Sequence, residues 1–424
     1  MARQAHPKAD RPAESAGDTD RPGAALVAVR RLFASETPNY FLLLGTTLFL
    51  VVFGLVMVLS SSSVESHLAE DSFFAAFIKQ GLFALLAIPL MLLASRMPIA
   101  FWKRIAFPAM IFGAILQILV FTPLGFGYGG NRNWIDFGFV QAQPAEFVKL
   151  ALIVWIAHHL TNPKREYLHP RQTIVPITLA AVSSIGFVLI GNDLGTAIVM
   201  LSVVAGCLFY GGVKLRYLLL GGGAIAFFGI IFAFASESRS KRINAWLLGC
   251  TEEQYYDFCW QPTHGTWALA SGGIFGTGLG NSKAKWSWLP EADNDYIFAI
   301  VGEELGLIGA IVVLLIFILL AIAFVRVIRM NTDPFARIVT SGVMVWVIGQ
   351  ALINIAVVLG LLPVLGVPLP LISAGGSALL ATLLAIGVVL SFAREQRDPA
   401  LLPTGPTPAE RSRLAAAERS RRRV

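Results

Sequence analysis

The feature that most limits how this chain can fold is a series of apolar runs, each about as long as a lipid bilayer is thick. The chain has 424 residues, of which 56% are hydrophobic and 14% are charged. A helix of about 20 residues spans the roughly 30 Å hydrocarbon layer at a rise of about 1.5 Å per residue. The sequence therefore predicts a polytopic membrane protein. The ten runs lie at 39–61, 74–95, 104–124, 143–160, 173–191, 194–211, 217–235, 297–325, 338–360 and 375–393.

These runs have the length of membrane helices rather than of membrane strands, so the predicted fold class is all-α with ten transmembrane helices. Alternate short loops are rich in Lys and Arg, which favours the cytoplasmic side. We therefore expect both termini to be cytoplasmic. The basic residues of the predicted cytoplasmic loops are Arg96, Lys103, Arg104, Lys164, Arg165, Arg171, Lys214, Arg216, Arg326, Arg329 and Arg337, whereas the short outer loops carry only Arg132.

One membrane domain, residues 37–393, accounts for most of the chain, and its large extracytoplasmic loop, 236–296, precedes the eighth predicted helix. Residues 1–36 mix six basic and five acidic residues with Pro and Gly, which predicts a disordered cytoplasmic tail. Residues 394–424 hold eight Arg and four acidic residues, which is typical of a basic cytoplasmic tail that contacts anionic lipid. No nucleic-acid module is visible, so nucleic acid is not an expected partner.

Two of the three cysteines, Cys250 and Cys259, lie in the large outer loop. An extracytoplasmic space is oxidising, so we expect a disulfide between them, with two free thiols as the alternative. The third, Cys207, lies inside an apolar run and is expected to be an unreactive core residue.

Acidic residues gather in the stretch LPEADNDYIFAIVGEELG, residues 289–306, just before an apolar run. Asp293 or Asn294 is expected to cap the helix that follows, with Asp295 in its first turn at the membrane boundary. Glu303 and Glu304 follow about 12 Å further along a straight helix. Acidic groups within a membrane are costly and generally functional, so this cluster is a candidate site, although helix capping explains one or two of its members.

A second stretch, residues 129–151, combines Arg132 with Glu146 and Lys149, which are i,i+3 neighbours on one helix face. Lys149 either reaches back to the membrane boundary and pairs with Glu146, or is held ready for an anionic headgroup. Arg132 is a candidate phosphate contact. These two interpretations stay open at this stage.

Two further stretches have a structural and a functional interpretation each. Asp193 in GNDLGTA is expected to cap a helix through Thr196, three positions later. Ser373 and Gly376 open the last apolar run after three prolines, where bare N–H groups at a helix start suit an anion. Close packing of helices through small residues is the alternative for this last stretch.

Taken together, the carboxylates, cations and apolar runs suit a substrate with a polyprenyl tail, a pyrophosphate and sugars. Sugar transfer from a pyrophosphate donor needs one carboxylate base and positive charge for the leaving group, and no dedicated acid. Asp295 is the candidate base. The candidate cations are Arg132, Lys149 and Arg242.

The chain also resembles a known family over about residues 39–393. The stretches GNRNWI with QPAEFVKLA, GNDLGTA, GIFGTGLGNSKAKWSWLPEADNDYIFAIVGEELG and QALINIAVVLGLLPVLGVPLPLISAGGSALLA are similar to the signatures of the SEDS (shape, elongation, division and sporulation) peptidoglycan glycosyltransferases, typified by FtsW and RodA. Within the family, the chain resembles actinobacterial FtsW more than RodA.

The resemblance implies polymerisation of lipid II into a nascent glycan strand outside the cytoplasmic membrane, with release of undecaprenyl pyrophosphate. The family's catalytic aspartate matches Asp295. The positions that the family motifs place along the substrate groove are Arg132, Glu146, Lys149, Asp193, Glu291, Glu303, Ser373 and Gly376.

This chain has Asp293 where the family commonly has His. Asp293 either raises the pKa of Asp295 or helps it hold a divalent cation, Mg²⁺ or Mn²⁺. The implied partners are a class B penicillin-binding transpeptidase and other division proteins, in a multi-pass protein of the cytoplasmic membrane at the division septum. The alternatives are an elongation polymerase of the RodA type, a lipid II flippase, and a scaffold that only activates its transpeptidase.

Overall fold

A computed structural model describes residues 36–70, 72–128, 131–138, 141–162, 170–234, 237–286 and 288–394. The described residues from Thr37 to Arg394 belong to one compact unit. The predicted disordered tail, except for Glu36, and the predicted basic tail, except for Arg394, lie outside the described residues.

Ten long helices coincide with the ten apolar runs. They are α1 Pro38–Glu70, α2 Ala75–Ala94, α3 Ile99–Leu119, α4 Pro144–Leu160, α5 Pro170–Ile190, α6 Leu194–Tyr210, α7 Leu215–Phe234, α11 Ile297–Met330, α12 Pro334–Val358 and α13 Gly376–Arg394. By length and composition, seven helices within the described ranges can cross a membrane; α4, α6 and α7 are not among these seven. The chain is a polytopic helical membrane protein.

The segments that join the long helices are more ordered than the sequence predicts. The segment between α3 and α4 contains three antiparallel strands, β1 Gly125–Tyr128, β2 Asn131–Asp136 and β3 Gln141–Ala142. The sequence does not predict these strands, and the fold class remains all-α. The pairs Phe126–Trp134 and Ile135–Ala142 define the register.

The large loop before α11 contains three helices, α8 Glu237–Leu248, α9 Glu252–Tyr255 and α10 Trp260–Gly272. Cys250 and Cys259 are joined by a disulfide, which ties the segment after α8 to the start of α10. Cys207 is a buried free thiol on α6.

Close backbone approach holds the centre of the bundle together. Helix α13 packs along α2, and α6 packs along α12. A Cβ atom at Gly342 of α12 would lie 2.7 Å from the Cys207 sulfur and 2.8 Å from the Ile153 side chain on α4. Small residues at such crossings let membrane helices approach closely. Close van der Waals packing drives helix association in lipid, where no hydrophobic force acts between helices.

Helix α11 is bent at Gly306, which has φ 68° and ψ −167°. Next to the bend, the carbonyls of Glu303 and Glu304 accept hydrogen bonds from the N–H groups of Thr277 and Gly278. On the other side of the bend, the N–H groups of Leu307 and Ile308 donate to the carbonyls of Gly273 and Ile274. The 273–278 loop therefore satisfies backbone groups that a straight helix would pair internally.

The bend sets how far the start of α11 lies from the other end of the bundle. Along α11, Ile297 and Met330 would be about 50 Å apart in a straight helix at 1.5 Å per residue. Along α12, Asn354 is only about 30 Å from Pro334, and its side chain bonds the carbonyl of Asp295 at 2.7 Å. The first turns of α11 therefore run obliquely rather than onward along the bundle axis.

A second pair of contacts gives a similar distance. The Asn39 amide lies 2.9 Å from the Met330 sulfur, and the Ser60 hydroxyl lies 2.6 Å from a Glu304 oxygen. Asn39 and Ser60 are about 32 Å apart along α1. Because this matches the thickness of a hydrocarbon layer, Glu304 and Asp295 both lie near one edge of that layer, at what we call the site end.

The bend at Gly306 predicts a specific stability defect. A Cβ atom at Gly306 would lie 2.4 Å from both the Gly276 nitrogen and the Ile274 oxygen, at a positive φ. We expect Gly306→Ala to lower the free energy of unfolding by about 2–6 kcal/mol, from strain plus overpacking. Gly349→Ala, in α12 with open space around it, is the matched control. Thermal unfolding in detergent measures both, and equal stability of the two variants would contradict the bend.

Candidate active site

Asp295 lies at the site end, just before α11 and not in its first turn as the sequence predicts. The helix begins at Ile297, and its N-cap is Tyr296, which makes no side-chain capping bond. The expected capping by Asp293 or Asn294 is therefore wrong. The tight turn instead comes from Glu291, whose carbonyl accepts from the N–H groups of Asn294 and Tyr296.

The backbone of residues 293–295 is held by α12 and by the segment between α12 and α13. The Asn354 amide donates to the carbonyls of Asp295 and Val367, at 2.7 Å each. The Ser373 hydroxyl donates to the Asn294 carbonyl at 2.7 Å. The Ala374 N–H donates to the Asp293 carbonyl at 2.8 Å. All three carbonyls are thus satisfied, which fixes the backbone while leaving the side chain of residue 295 unconstrained by these bonds.

The Asp295 carboxylate accepts no hydrogen bond from the residues that the structure describes, and its side chain is half-buried. It lies beside Gly366, where an added Cβ would be 3.5 Å from Oδ2. Gly366 has a positive φ of 68°, which favours glycine. The glycine leaves room next to a carboxylate that accepts no hydrogen bond within the described ranges, so a ligand hydroxyl can be accommodated there.

The surroundings raise the pKa of Asp295 to about 7. Burial is the largest cause, followed by repulsion from Glu291, Asp193 and Asp293, whereas Arg242 on α8 opposes the rise. A carboxyl group with a pKa near the working pH is suited to accept a proton and release it again. The sequence-based expectation that Asp293 raises this pKa agrees in direction, although Glu291 is the stronger neighbour.

Glu303 and Glu304 hold the 282–285 loop and do not line an open groove. The Glu303 carboxylate accepts from the Ser282 hydroxyl, from the Lys283 N–H at 2.9 Å and from the Ala284 N–H at 3.3 Å. Glu304 accepts from Ser60 of α1 and lies 3.5 Å from the Lys285 ammonium. Because both acids are buried and bonded to protein, the prediction that Glu303 binds substrate finds no open surface here.

Glu146 and Lys149 form a buried ion pair on α4, with 2.8 Å between Nζ and Oε1 and side-chain exposures of 3% and 1%. The ammonium also lies 3.2 Å from the Gln350 amide oxygen and 4.5 Å from the centre of the Trp346 ring, both on α12. Lys149 therefore does not extend to the membrane boundary. It links α4 to α12 through a polar contact inside the bundle.

Asp193 caps α6 as predicted, accepting from the Thr196 N–H at 2.8 Å. Its second oxygen accepts from the amides of Asn133 at 2.9 Å and Gln143 at 3.1 Å. The exposed Arg132 donates to the carbonyls of Val120, Thr122 and Gly125. Both residues thus fasten the small sheet to the bundle, although Asp193 also contributes negative potential at Asp295.

Ser373 and Gly376 have packing roles that the sequence left as alternatives. The Ser373 hydroxyl accepts from the Leu369 N–H at 2.8 Å as well as donating to Asn294. A Cβ atom at Gly376 would lie 2.2 Å from the Phe83 ring of α2. Close packing therefore explains the glycine at the start of α13.

No group of three His, Cys, Asp or Glu side chains with metal-binding geometry occurs within the described ranges. Magnesium usually takes one or two carboxylates and completes its octahedral shell with waters and substrate phosphates. Asp293 and Asp295 supply carboxylates of the kind that such an incomplete donor set uses.

Two polar residues that organise the site were not among the predicted binding positions. Gln350 and Asn354, an i,i+4 pair within an apolar run, bond the carbonyls of Pro368 and Val367. Arg242 was a candidate cation because it is a basic residue of the outer loop, and its place near Asp295 arises from the folding of α8 onto the bundle.

These observations define a polytopic membrane protein with an acidic site at one edge of the hydrocarbon layer, and comparison with known proteins identifies its family. The family model described as "Cell cycle protein", which groups FtsW, RodA and SpoVE, matches residues 40–398. A Mycobacterium tuberculosis protein named "Probable peptidoglycan glycosyltransferase FtsW" is 39% identical over 361 residues, which are 85% of this chain and 68% of the relative. Stage V sporulation protein E of Bacillus subtilis is 34% identical over 366 residues, 85% and 99% of the two chains.

Solved structures show the same fold. The crystal structure of Thermus thermophilus rod shape determining protein RodA has a TM-score of 0.63 at 24% identity, covering 84% of this chain and 97% of that one. A chain described under "Structural coordination of polymerization and crosslinking by a peptidoglycan synthase complex" has a TM-score of 0.69 at 24% identity, with 84% and 98% covered. The chain belongs to the SEDS family.

The raised pKa of Asp295 has a consequence for stability. The folded protein binds a proton at the Asp295 carboxylate more tightly than the unfolded chain does. The ionised carboxylate therefore lowers the free energy of unfolding, and this loss grows as pH rises from about 4 to about 7. We expect Asp295→Asn to unfold at a higher temperature than the wild type, with a larger gain at pH 8 than at pH 5. Asp257→Asn, at an exposed position, is the control and should show no such pH dependence.

The buried ion pair on α4 predicts a second effect. Lys149→Met leaves the Glu146 carboxylate buried without its cation, which should cost about 3–5 kcal/mol of unfolding free energy. The double variant Glu146→Gln/Lys149→Met should recover most of this loss, because no charge is then left uncompensated. Thermal unfolding in one detergent compares the wild type with both variants. Lys149→Met as stable as the wild type would show that the pair is not buried.

Proposed function

We propose that this protein is a peptidoglycan glycosyltransferase that polymerises lipid II during cell division, with Asp295 as its general base. Family membership and the 39% identity to proteins named "Probable peptidoglycan glycosyltransferase FtsW" support the reaction class. The observation that carries the assignment within this chain is the half-buried Asp295 carboxylate, which has no protein donor among the described residues and a pKa near 7.

The reaction joins two sugars and releases a lipid diphosphate. The acceptor hydroxyl oxygen forms a bond to the anomeric carbon of the donor sugar, while the bond from that carbon to the pyrophosphate breaks and its electrons leave with undecaprenyl pyrophosphate. Asp295 takes the proton of the acceptor hydroxyl as the oxygen attacks. The positive charge of Arg242 opposes the rise in the pKa of Asp295. The same charge is suited to stabilise the negative charge of the departing pyrophosphate.

The depth of Asp295 suits this substrate. It lies about 30 Å from the start of α12, near one edge of the hydrocarbon layer. A polyprenyl tail can then stay in lipid while the pyrophosphate and sugars stand in the aqueous layer above it. A divalent cation, Mg²⁺ or Mn²⁺, held by Asp293 and Asp295 would add further positive charge at the pyrophosphate.

The proposed orientation places the site outside the cytoplasm. All ten long helices are taken to span the membrane, including the shorter α4 and α6, so both termini are cytoplasmic. The loops at the end opposite the site carry the Lys and Arg residues that favour the cytoplasmic side. The disulfide between Cys250 and Cys259 lies in the large loop at the site end, which agrees with an oxidising exterior.

Within the family, a division protein is the better-supported assignment. The most similar of the relatives compared above are named FtsW. One similar structure is described as a peptidoglycan synthase complex that coordinates polymerisation and crosslinking. A class B penicillin-binding transpeptidase and other division proteins are therefore the proposed partners, at the septum. A RodA-type elongation role would show as rescue of cell shape rather than of septation in depletion strains.

Product analysis tests the catalytic assignment directly. The protein, purified with its transpeptidase, is supplied with labelled lipid II, and the products are separated on a gel. We expect glycan ladders from the wild type and from Asp257→Asn, and none from Asp295→Asn or Asp295→Ala, both shown to be folded by thermal unfolding. A ladder of wild-type intensity from Asp295→Ala would overturn the assignment. Translocation of lipid II across liposomes without polymerisation would instead favour a flippase.

The two neighbours that act oppositely on Asp295 provide a matched pair of variants. Because the ionised carboxylate is the base, the polymerisation rate should rise with pH through about 7 in the wild type. Glu291→Gln removes a repulsive charge and should move this rise to lower pH. Arg242→Gln removes an attractive charge and should move it to higher pH. Shifts in the same direction, or no shift in either variant, would exclude Asp295 as the titrating base.

A further inference from the structure

A cavity of about 440 Å³ opens at the end of the bundle opposite the site. Four helices line it: Lys103 lies in the second turn of α3, Leu160 ends α4, Tyr210 ends α6, and Asp333 caps the start of α12. The start of α12 is about 30 Å from Asn354, which bonds the Asp295 carbonyl. The cavity is therefore separate from the candidate active site.

The rim of the cavity carries an excess of positive charge. Lys103 and Asp333 form an ion pair at 2.7 Å, and the other Asp333 oxygen accepts from the Phe335 N–H at 2.8 Å. Both Asp333 oxygens are thus engaged. Arg337 also lines the cavity, is exposed, and its guanidinium makes no hydrogen bond or ion pair with the residues that the structure describes. The rim has two cations for one acid, and one of the cations has no protein partner within those ranges.

The wall of the same cavity is apolar. Leu160 and Ile338 form buried parts of it, and Tyr210 presents a partly exposed phenol ring. Gly211 keeps this wall tight, because an added Cβ would lie 2.5 Å from the Leu160 side chain. A water-soluble anion would use the cationic rim but would leave the apolar wall uncovered, which lowers its affinity relative to an amphipathic ligand.

We propose that this cavity binds the headgroup of an anionic phospholipid. Its phosphodiester would lie against Arg337 and Lys103, and its glycerol and first acyl carbons would cover Leu160, Ile338 and Tyr210. Basic pockets between membrane helices on the cytoplasmic side bind such headgroups. The cavity volume of about 440 Å³ falls in the range of small-ligand sites. A peptide helix is about 10 Å across, and the cavity is too small to hold one. The bound lipid would connect α3, α4, α6 and α12.

Lipid titration of the delipidated full-length protein tests this inference. Native mass spectrometry follows the binding of phosphatidylglycerol to the wild type, to Arg337→Gln and to the control Arg329→Gln. Arg329 is exposed at the same end of the bundle and is not a lining residue. Losing a charge-assisted contact to phosphate should weaken the tightest binding event about tenfold or more in Arg337→Gln. Arg329→Gln should bind as the wild type does.

Further arms identify the ligand chemistry. Arg337→Lys keeps the charge and should retain most of the binding, which separates a role in lipid contact from a general folding defect. Thermal unfolding should show stabilisation by phosphatidylglycerol, and much less by phosphatidylcholine or inorganic phosphate. Equal lipid affinity of Arg337→Gln and Arg329→Gln would overturn the proposal. Equal protection by inorganic phosphate or by an acidic peptide would also overturn it.

Discussion

The bend of α11 at Gly306 is the constraint on which the rest of the site depends. A straight helix of this length would carry Asp295 far beyond the edge of the hydrocarbon layer. The loop 273–278 replaces the helical hydrogen bonds at the bend, and Glu303 and Glu304 fasten the adjoining 282–285 loop. Asp295 is thereby returned to the edge of the layer, which is the depth that the proposed lipid-linked substrate requires. Glu303, which the family motifs place along the substrate groove, and Glu304 both support this geometry through their bonds to the 282–285 loop.

The site also separates rigidity from reactivity. The carbonyls of residues 293–295 are bonded to α12 and to the segment between α12 and α13, so the backbone has little freedom. The Asp295 carboxylate remains without a donor among the described residues, and burial, followed by repulsion from the acids around it, raises its pKa to about 7. Such an arrangement costs stability and is expected where function needs a group poised between its two protonation states.

Much of the local chemistry was readable from the sequence because its spacing is local. The Asp193 cap at Thr196 and the i,i+3 pair of Glu146 and Lys149 were predicted from neighbouring positions. The long-range clamp was not, because Asn354 and Ser373 lie 59 and 79 residues from the carbonyls they bond. The depth of Glu303 was misjudged because a glycine in an apolar run does not reveal a positive φ, which depends on contacts with a distant loop.

The measurement that tests the central claim most directly is the membrane depth and accessibility of residue 295. A spin label at this position in lipid nanodiscs is compared with one at Ile311, an exposed position further along α11. The account predicts that the label at 295 collides readily with both oxygen and a water-soluble nickel chelate, as expected at the edge of the lipid layer, whereas the label at 311 collides mainly with oxygen. A label at 295 inaccessible to both reagents, or accessible to oxygen alone, would contradict it.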